Sequence, residues 1–318
     1  MCKDLDQENR YLPIIAGIFV AIIFGFSFLF TKEALDTLNP FHLLGFRFAF
    51  ATITLLLLQI MQVIKINLIG KRVQILLFLA LFQPILYFVC ETLGVGMTSA
   101  SEAGMMIALI PIVVTVLAAI FLEEKPTKMQ LIFICLSVIG VIFIVVMTGN
   151  LRVGSSFAGM FILLGAVLAA GIFNVLSRKS SLHFKPVEIT YVMMWVGVIV
   201  FNSIAILQHI RQGNLISYLE PLKNAKILLS IIYLGGLSSV GAFFMLNFML
   251  SKVEASKAAV FTNLITVISI IAGVVFRGEP FYWFHGVGAF MILLGVWGTN
   301  YFEKQKIPYE IRFDTIKR

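Results

Sequence analysis

Charge is what this chain has least of. Asp, Glu, Lys and Arg make up 13% of its 318 residues, about half the share usual in a soluble domain, while hydrophobic residues make up 60%. Histidine is scarce at four residues and cysteine at three. Cys2, Cys90 and Cys135 lie far apart, two of them inside apolar runs, which excludes a disulfide framework and a thiolate metal cluster. There is no nucleophile and base constellation, no His-rich metal motif, no phosphate loop and no dinucleotide fingerprint, so nothing marks an enzyme and no cofactor or metal is implied. ATP-driven work would need a separate subunit. A soluble domain, a low-complexity linker and a long charged tail are missing as well.

What is present is a succession of apolar runs about 17 to 25 residues long, the length a helix needs to cross a hydrocarbon core of about 30 Å. Transmembrane strands would be shorter and alternating, so a barrel is excluded. The expected fold is an all-α integral membrane protein with spans near 12–33, 41–64, 73–95, 101–122, 128–148, 156–178, 187–209, 226–251, 256–276 and 281–302. The net charge of +8 is no nucleic-acid signal, because the basic residues sit in short loops and at the C-terminus. Seventeen of the 24 Lys and Arg fall on the side of the N-terminus, which predicts that both termini face the cytoplasm of a cell membrane. The first apolar run passes into the next span without a clear cleavage site, so it is expected to be retained.

The chain repeats itself. A shift of about 155 positions carries Ala100, Ser101, Ala103, Leu109, Ile110, Phe121 and Glu124 onto Ala255, Ser256, Ala258, Leu264, Ile265, Phe276 and Glu279. A shift of about 146 carries Gly25, Lys32 and Pro40 onto Gly171, Arg178 and Pro186, and the difference falls in the long polar segment 208–226. Pro111 meets Thr266, so the proline of the fourth span has no counterpart in the ninth. The expected domains are two five-helix repeats, 1–150 and 151–318. An odd number of spans per copy inverts the second copy, an arrangement that commonly encloses a solute site at mid-membrane.

The candidate site starts from Glu91, a carboxylate deep in the third span with Tyr87 one turn earlier on the same face. A carboxylate at mid-membrane costs about 2.5–3.5 kcal/mol on insertion scales and usually faces a bundle interior or wet cavity. Glu91 is therefore the expected site for a proton or a substrate amine, with a structural ion pair as the alternative. Arg47 lies two turns into the second span with no acidic residue in helical reach, which calls for a partner on another helix, Glu91 or Glu33, or a substrate. Lys32 and its counterpart Arg178 stand at span ends, where cations form gates or simply snorkel to the interface. Glu102 opens the fourth span, where a first-turn carboxylate also serves the helix dipole. Asn174, Asn247 and Asn263 are membrane amides that either bond a substrate or tie helices together. Pro84 and Pro111 lie inside spans and mark candidate hinges.

Strung together, GFSFLFTKEAL from Gly25, Pro40, Arg47 with Phe48, YFVCETLGV from Tyr87, TSASEAGMMIALIP from Thr98, the EEKPT exit at Glu123 and the later GGLSSVGAFFMLNFML and RGEP runs form an ordered, duplicated set. In this the whole chain resembles the EamA-type transporters of the drug/metabolite transporter superfamily. The resemblance implies a basket of ten helices in two inverted repeats around a central cavity, and outward carriage of small metabolites such as amino acids or amphipathic and aromatic compounds. The expected partners are a small-molecule substrate, the lipid bilayer and protons handled at Glu91, with no nucleic acid. A lipid scramblase or a regulatory membrane scaffold is the alternative from another class.

Overall fold

The computed structural model describes residues 2–98, 100–124, 126–149, 156–278 and 280–302. It is about 85% helical, with no strand among the described residues. Seven helices are long and apolar enough to cross a membrane, and Ile110–Phe121, Lys128–Ile144 and Trp283–Thr299 are shorter apolar helices. In chain order the elements are α1 (Cys2–Leu35), α2 (Pro40–Ile60), α3 (Gln74–Met97), α4 (Ala100–Ile107 and Ile110–Phe121), α5 (Lys128–Gly149), α6 (Ser156–Ser180), α7 (Pro186–Arg211), α8 (Ala225–Lys252), α9 (Ala255–Arg277) and α10 (Trp283–Tyr301).

Local chemistry sets the starts and stops. Asn39 caps α2, its side chain accepting from the Phe41 amide, and Pro40 takes the first position, where a missing N–H costs nothing. Asn224 caps α8 in the same way through the Lys226 amide. Gly278 ends α9 at a positive φ of 66°, open to glycine without penalty. α2 stops at Ile60, short of the expected 64, because the chain turns at Gln62 with φ 60°.

Three helices are interrupted. In α3 the backbone leaves helical geometry at Gln83 (φ −146°, ψ 111°), the residue before Pro84, which the proline ring drives into the extended region. α4 breaks at residues 108–109, so Pro111 falls in the first turn of the second segment, where it is tolerated. α9 breaks at Phe261 with no proline nearby, and the Thr262 hydroxyl bonds the Ala259 carbonyl. Both α4 and α9 are thus interrupted, although only α4 carries a proline close to its break. Between Tyr233 and Ala242, α8 stays continuous but widens into π-type turns, a form that often marks functional segments.

The strongest helix pairings join the first half of the chain to the second: α5 to α10, α2 to α7, α3 to α6, α1 to α8 and α9, and α4 to α6 and α9. Small residues permit the closest of these. A Cβ on Gly197 of α7 would collide with Phe48 of α2, and one on Gly104 of α4 with Ser269 of α9. Phe48, Phe88, Phe173, Phe201 and Phe243 are buried at the centre in edge-to-face and tilted contacts.

Candidate functional site

A small cavity lies where α1, α2, α3, α4, α8 and α9 converge. Its walls include Phe24 and Phe28 of α1, Gln83 and Phe88 of α3, Phe243 of α8 and Ile265 of α9, and its polar floor is Arg47, Tyr87 and Glu91. The volume is about 30 Å³, room for one or two waters and for no metabolite.

The two charges are each 2% exposed. Arg47 donates through Nε to the Ser239 hydroxyl at 2.9 Å and through Nη2 to the Ser238 hydroxyl at 3.0 Å, and its guanidinium lies 4.3 Å from the centre of the Phe88 ring. Consecutive serines reach one guanidinium because its nitrogens splay to meet them from the widened turn of α8. Glu91 accepts from the Thr92 hydroxyl at 3.0 Å. Arg47 and Glu91 interact electrostatically across the cavity without a hydrogen bond to each other. A carboxylate and a guanidinium so arranged can hold the two ends of a zwitterion. Each also has hydrogen-bonding capacity left for one.

Sequence reasoning brought Glu91, Tyr87 and Arg47 to this point but missed Gln83, Ser27, Ser238, Ser239 and Phe88. Gln83 carried a signal, as a polar residue inside an apolar run just before a proline. The serine pair carried a fainter one in the GGLSSVGA string.

The other candidates stand elsewhere. Asn247 donates to the Thr190 hydroxyl at 2.9 Å and accepts from Ser177 at 2.7 Å, stitching α6, α7 and α8 together. Asn263 donates to the Ser137 hydroxyl of α5, and Asn174 to the Ala170 carbonyl of its own helix at 2.7 Å; the amide oxygen of each is buried with no hydrogen-bond partner. None of the three lines the cavity. The side chain of Glu102 lies outside the described residues.

Lys32 and Arg178 sit at opposite ends of the helix bundle's polar seams. Lys32 donates to the carbonyls of Val95 at 3.0 Å, Gly96 at 3.1 Å and Thr98 at 2.6 Å, where α3 ends. Arg178 donates to the Leu250 carbonyl near the end of α8 at 2.9 Å and pairs with Glu124 at 2.9 Å. Glu124 also accepts from the Ala255 amide at 2.7 Å, at the start of α9. No group of three or more His, Cys, Asp or Glu suited to a metal occurs among the described residues.

A family model described as "EamA-like transporter family" matches the chain twice, over residues 12–146 and 157–301. The uncharacterized transporter YcxC of Bacillus subtilis is 40% identical over 90% of this chain and 92% of its own length. The uncharacterized transporter YetK of the same organism is 25% identical over 97% of this chain and 98% of its own. An uncharacterized transporter of Archaeoglobus fulgidus is 26% identical over 86% and 93%. A solved crystal structure aligns with a TM-score of 0.70 over 90% of this chain and 97% of that one at 14% identity, a likeness of fold alone.

Proposed function

The chain belongs to the EamA-like transporter family and is a multi-pass membrane protein, and from that premise we propose that it exports amino acids or related amphipathic and aromatic metabolites by alternating access. The observation that carries the reading is the buried Arg47 and Glu91, facing one cavity without hydrogen bonding to each other. Arg47 takes the substrate carboxylate and Glu91 its ammonium, while Phe24, Phe28 and Phe243 meet the side chain. With the substrate gone, a proton takes the place of the substrate ammonium at Glu91, and this exchange couples export to the proton gradient.

A cavity of about 30 Å³ corresponds to an occluded state that opens at one end at a time. Lys32 with the end of α3, and Arg178 with Glu124 and the end of α8, are the two closures. Gln83–Pro84 and the break before Pro111 serve as hinges. Several features support ten spans in two inverted five-helix halves, 1–150 and 151–318. Exchanging the halves converts α1–α9 into α6–α4, α3–α6 into α8–α1 and α2–α8 into α7–α3, all of them observed pairings. The contact of Lys32 with Val95 also becomes that of Arg178 with Leu250 under the same sequence shifts. Both termini face the cytoplasm of the cell membrane in this reading, which the excess of basic residues on that side supports.

The test is solute counterflow in proteoliposomes with a panel of labelled L-amino acids and their decarboxylated amines. Exchange of one or more amino acids, with the matching amines at least ten times slower, is the expected result. Equal rates for acid and amine would overturn the zwitterion assignment, and no exchange of any solute by well-folded protein would overturn the transport reading.

A further inference from the structure

A second and larger cavity, about 360 Å³, opens between the ends of α1, α8 and α9, on the side of the molecule that carries the connections at 36–39 and 212–224. That volume lies within the range of small-molecule sites, about 300–1,000 Å³. Its walls are Phe26, Leu29 and Phe30 of α1, Leu229 of α8 and Phe276 of α9, and its rim is Glu33, Lys226 and Arg277. Leu229 and Phe276 are 58% and 64% exposed, so the groove is open sideways, towards the lipid that surrounds any membrane-spanning helix.

The rim charges are loosely engaged. Lys226 stands 3.6 Å from Glu33, while Arg277 stands 3.9 Å from Glu33 and 3.5 Å from Asp36. Charge-assisted bonds of full strength run at about 2.7–2.9 Å, the length seen here for Arg178 with Glu124. The rim thus offers two cations and the Glu33 carboxylate, with the Asp36 carboxylate outside the lining but 3.5 Å from Arg277, all with donors and acceptors to spare where helices end and the apolar wall begins.

We propose that this groove binds a zwitterionic phospholipid with a primary ammonium headgroup, its phosphate between Lys226 and Arg277, its ammonium at Glu33 and Asp36, and an acyl chain along Phe26, Phe30, Leu229 and Phe276. The balance of the rim selects this headgroup. A glycerol headgroup would bring a phosphate and no cation to the carboxylates, a serine headgroup would add a carboxylate of its own against them, and a quaternary ammonium has no N–H to donate to them. The site is separate from the Arg47 cavity and does not depend on what that cavity carries.

Detergent-purified protein would be titrated with phosphatidylethanolamine, phosphatidylcholine and phosphatidylglycerol of identical acyl chains. Thermal unfolding would be followed, and bound lipid counted by native mass spectrometry. Phosphatidylethanolamine should raise the unfolding temperature by several degrees more than the other two lipids, and it should be retained at about one copy per chain. Glu33→Gln and Arg277→Gln should each remove that advantage. Leu229→Trp, at an exposed position that fills the groove, should remove the retained copy without lowering stability in detergent alone. Equal stabilisation by the three lipids, a preference for phosphatidylglycerol, or an unchanged preference in the folded variants would overturn the proposal. If a rim variant fails to fold, the wild-type lipid count and the Leu229→Trp count decide alone.

Discussion

Two charge pairs in this molecule are built in opposite ways. Arg178 and Glu124 touch at 2.9 Å with 24% and 13% of their side chains exposed, and each has a second partner in the Leu250 carbonyl and the Ala255 amide. Arg47 and Glu91 are almost fully buried, face one cavity, and are not bonded to each other. A touching pair has spent its hydrogen bonds on holding helices together. A separated pair gives up Coulomb energy that falls with distance, and keeps bonding capacity for a guest. In the proposed reading, the contrast separates a fastening from a binding site more sharply than charge or depth does alone.

The largest effect is expected at Arg47. Arg47→Ala should abolish counterflow and cost about 1–3 kcal/mol, because the buried Ser238 and Ser239 hydroxyls lose their partner. Arg47→Lys keeps the charge but not the fork that spans Ser238 and Ser239. It should fold and yet bind substrate at least about tenfold more weakly, a loss of about 1.4 kcal/mol. Wild-type affinity in Arg47→Lys would make Arg47 a fastening after all. Next comes Glu91→Gln, for which counterflow measured from pH 5.5 to pH 8 should be slower and flat, against a sloping wild-type profile. A retained slope would move the proton elsewhere.

Arg178→Gln should act in the opposite sense to Arg47→Lys. Partial exposure screens this pair, so unfolding should lose only about 1 kcal/mol. Substrate affinity should stay within about twofold while the exchange rate changes, and lost affinity would erase the distinction between the two pairs. The smallest effect is expected for Thr266→Val, which removes the 2.8 Å bond from α9 to the Gly104 carbonyl and should cost about 0.5–1.5 kcal/mol with transport unchanged.

Much of the fold could be read from the chain because membrane spans announce themselves by length and apolarity, and the duplication by fixed sequence offsets. Glu91, Tyr87 and Arg47 could be read for a related reason: charge is costly at that depth and demands an explanation. Ser238, Ser239 and Phe88 could not, since their value comes from α8 and α3 lying against α2. The amides show the converse. Asn247 looks the same in sequence whether it bonds a solute or, as here, Ser177 and Thr190. The break in α9 is not legible in the sequence, because no proline marks it. At Phe261 the interruption instead comes with Thr262 bonding the carbonyl of Ala259.

The cross-pairing of the two halves also sets the order of events at the ribosome. α1 to α5 are made first, while their strongest packing partners lie among α6 to α10, which follow. In that interval Arg47 lacks the hydroxyls of Ser238 and Ser239, and Phe48 lacks the glycine at 197 against which it packs. The nascent first half is therefore a waiting intermediate with polar groups to shelter. Its wall of the cavity is complete only once α8 has been made, because α8 carries the two serines that hold Arg47.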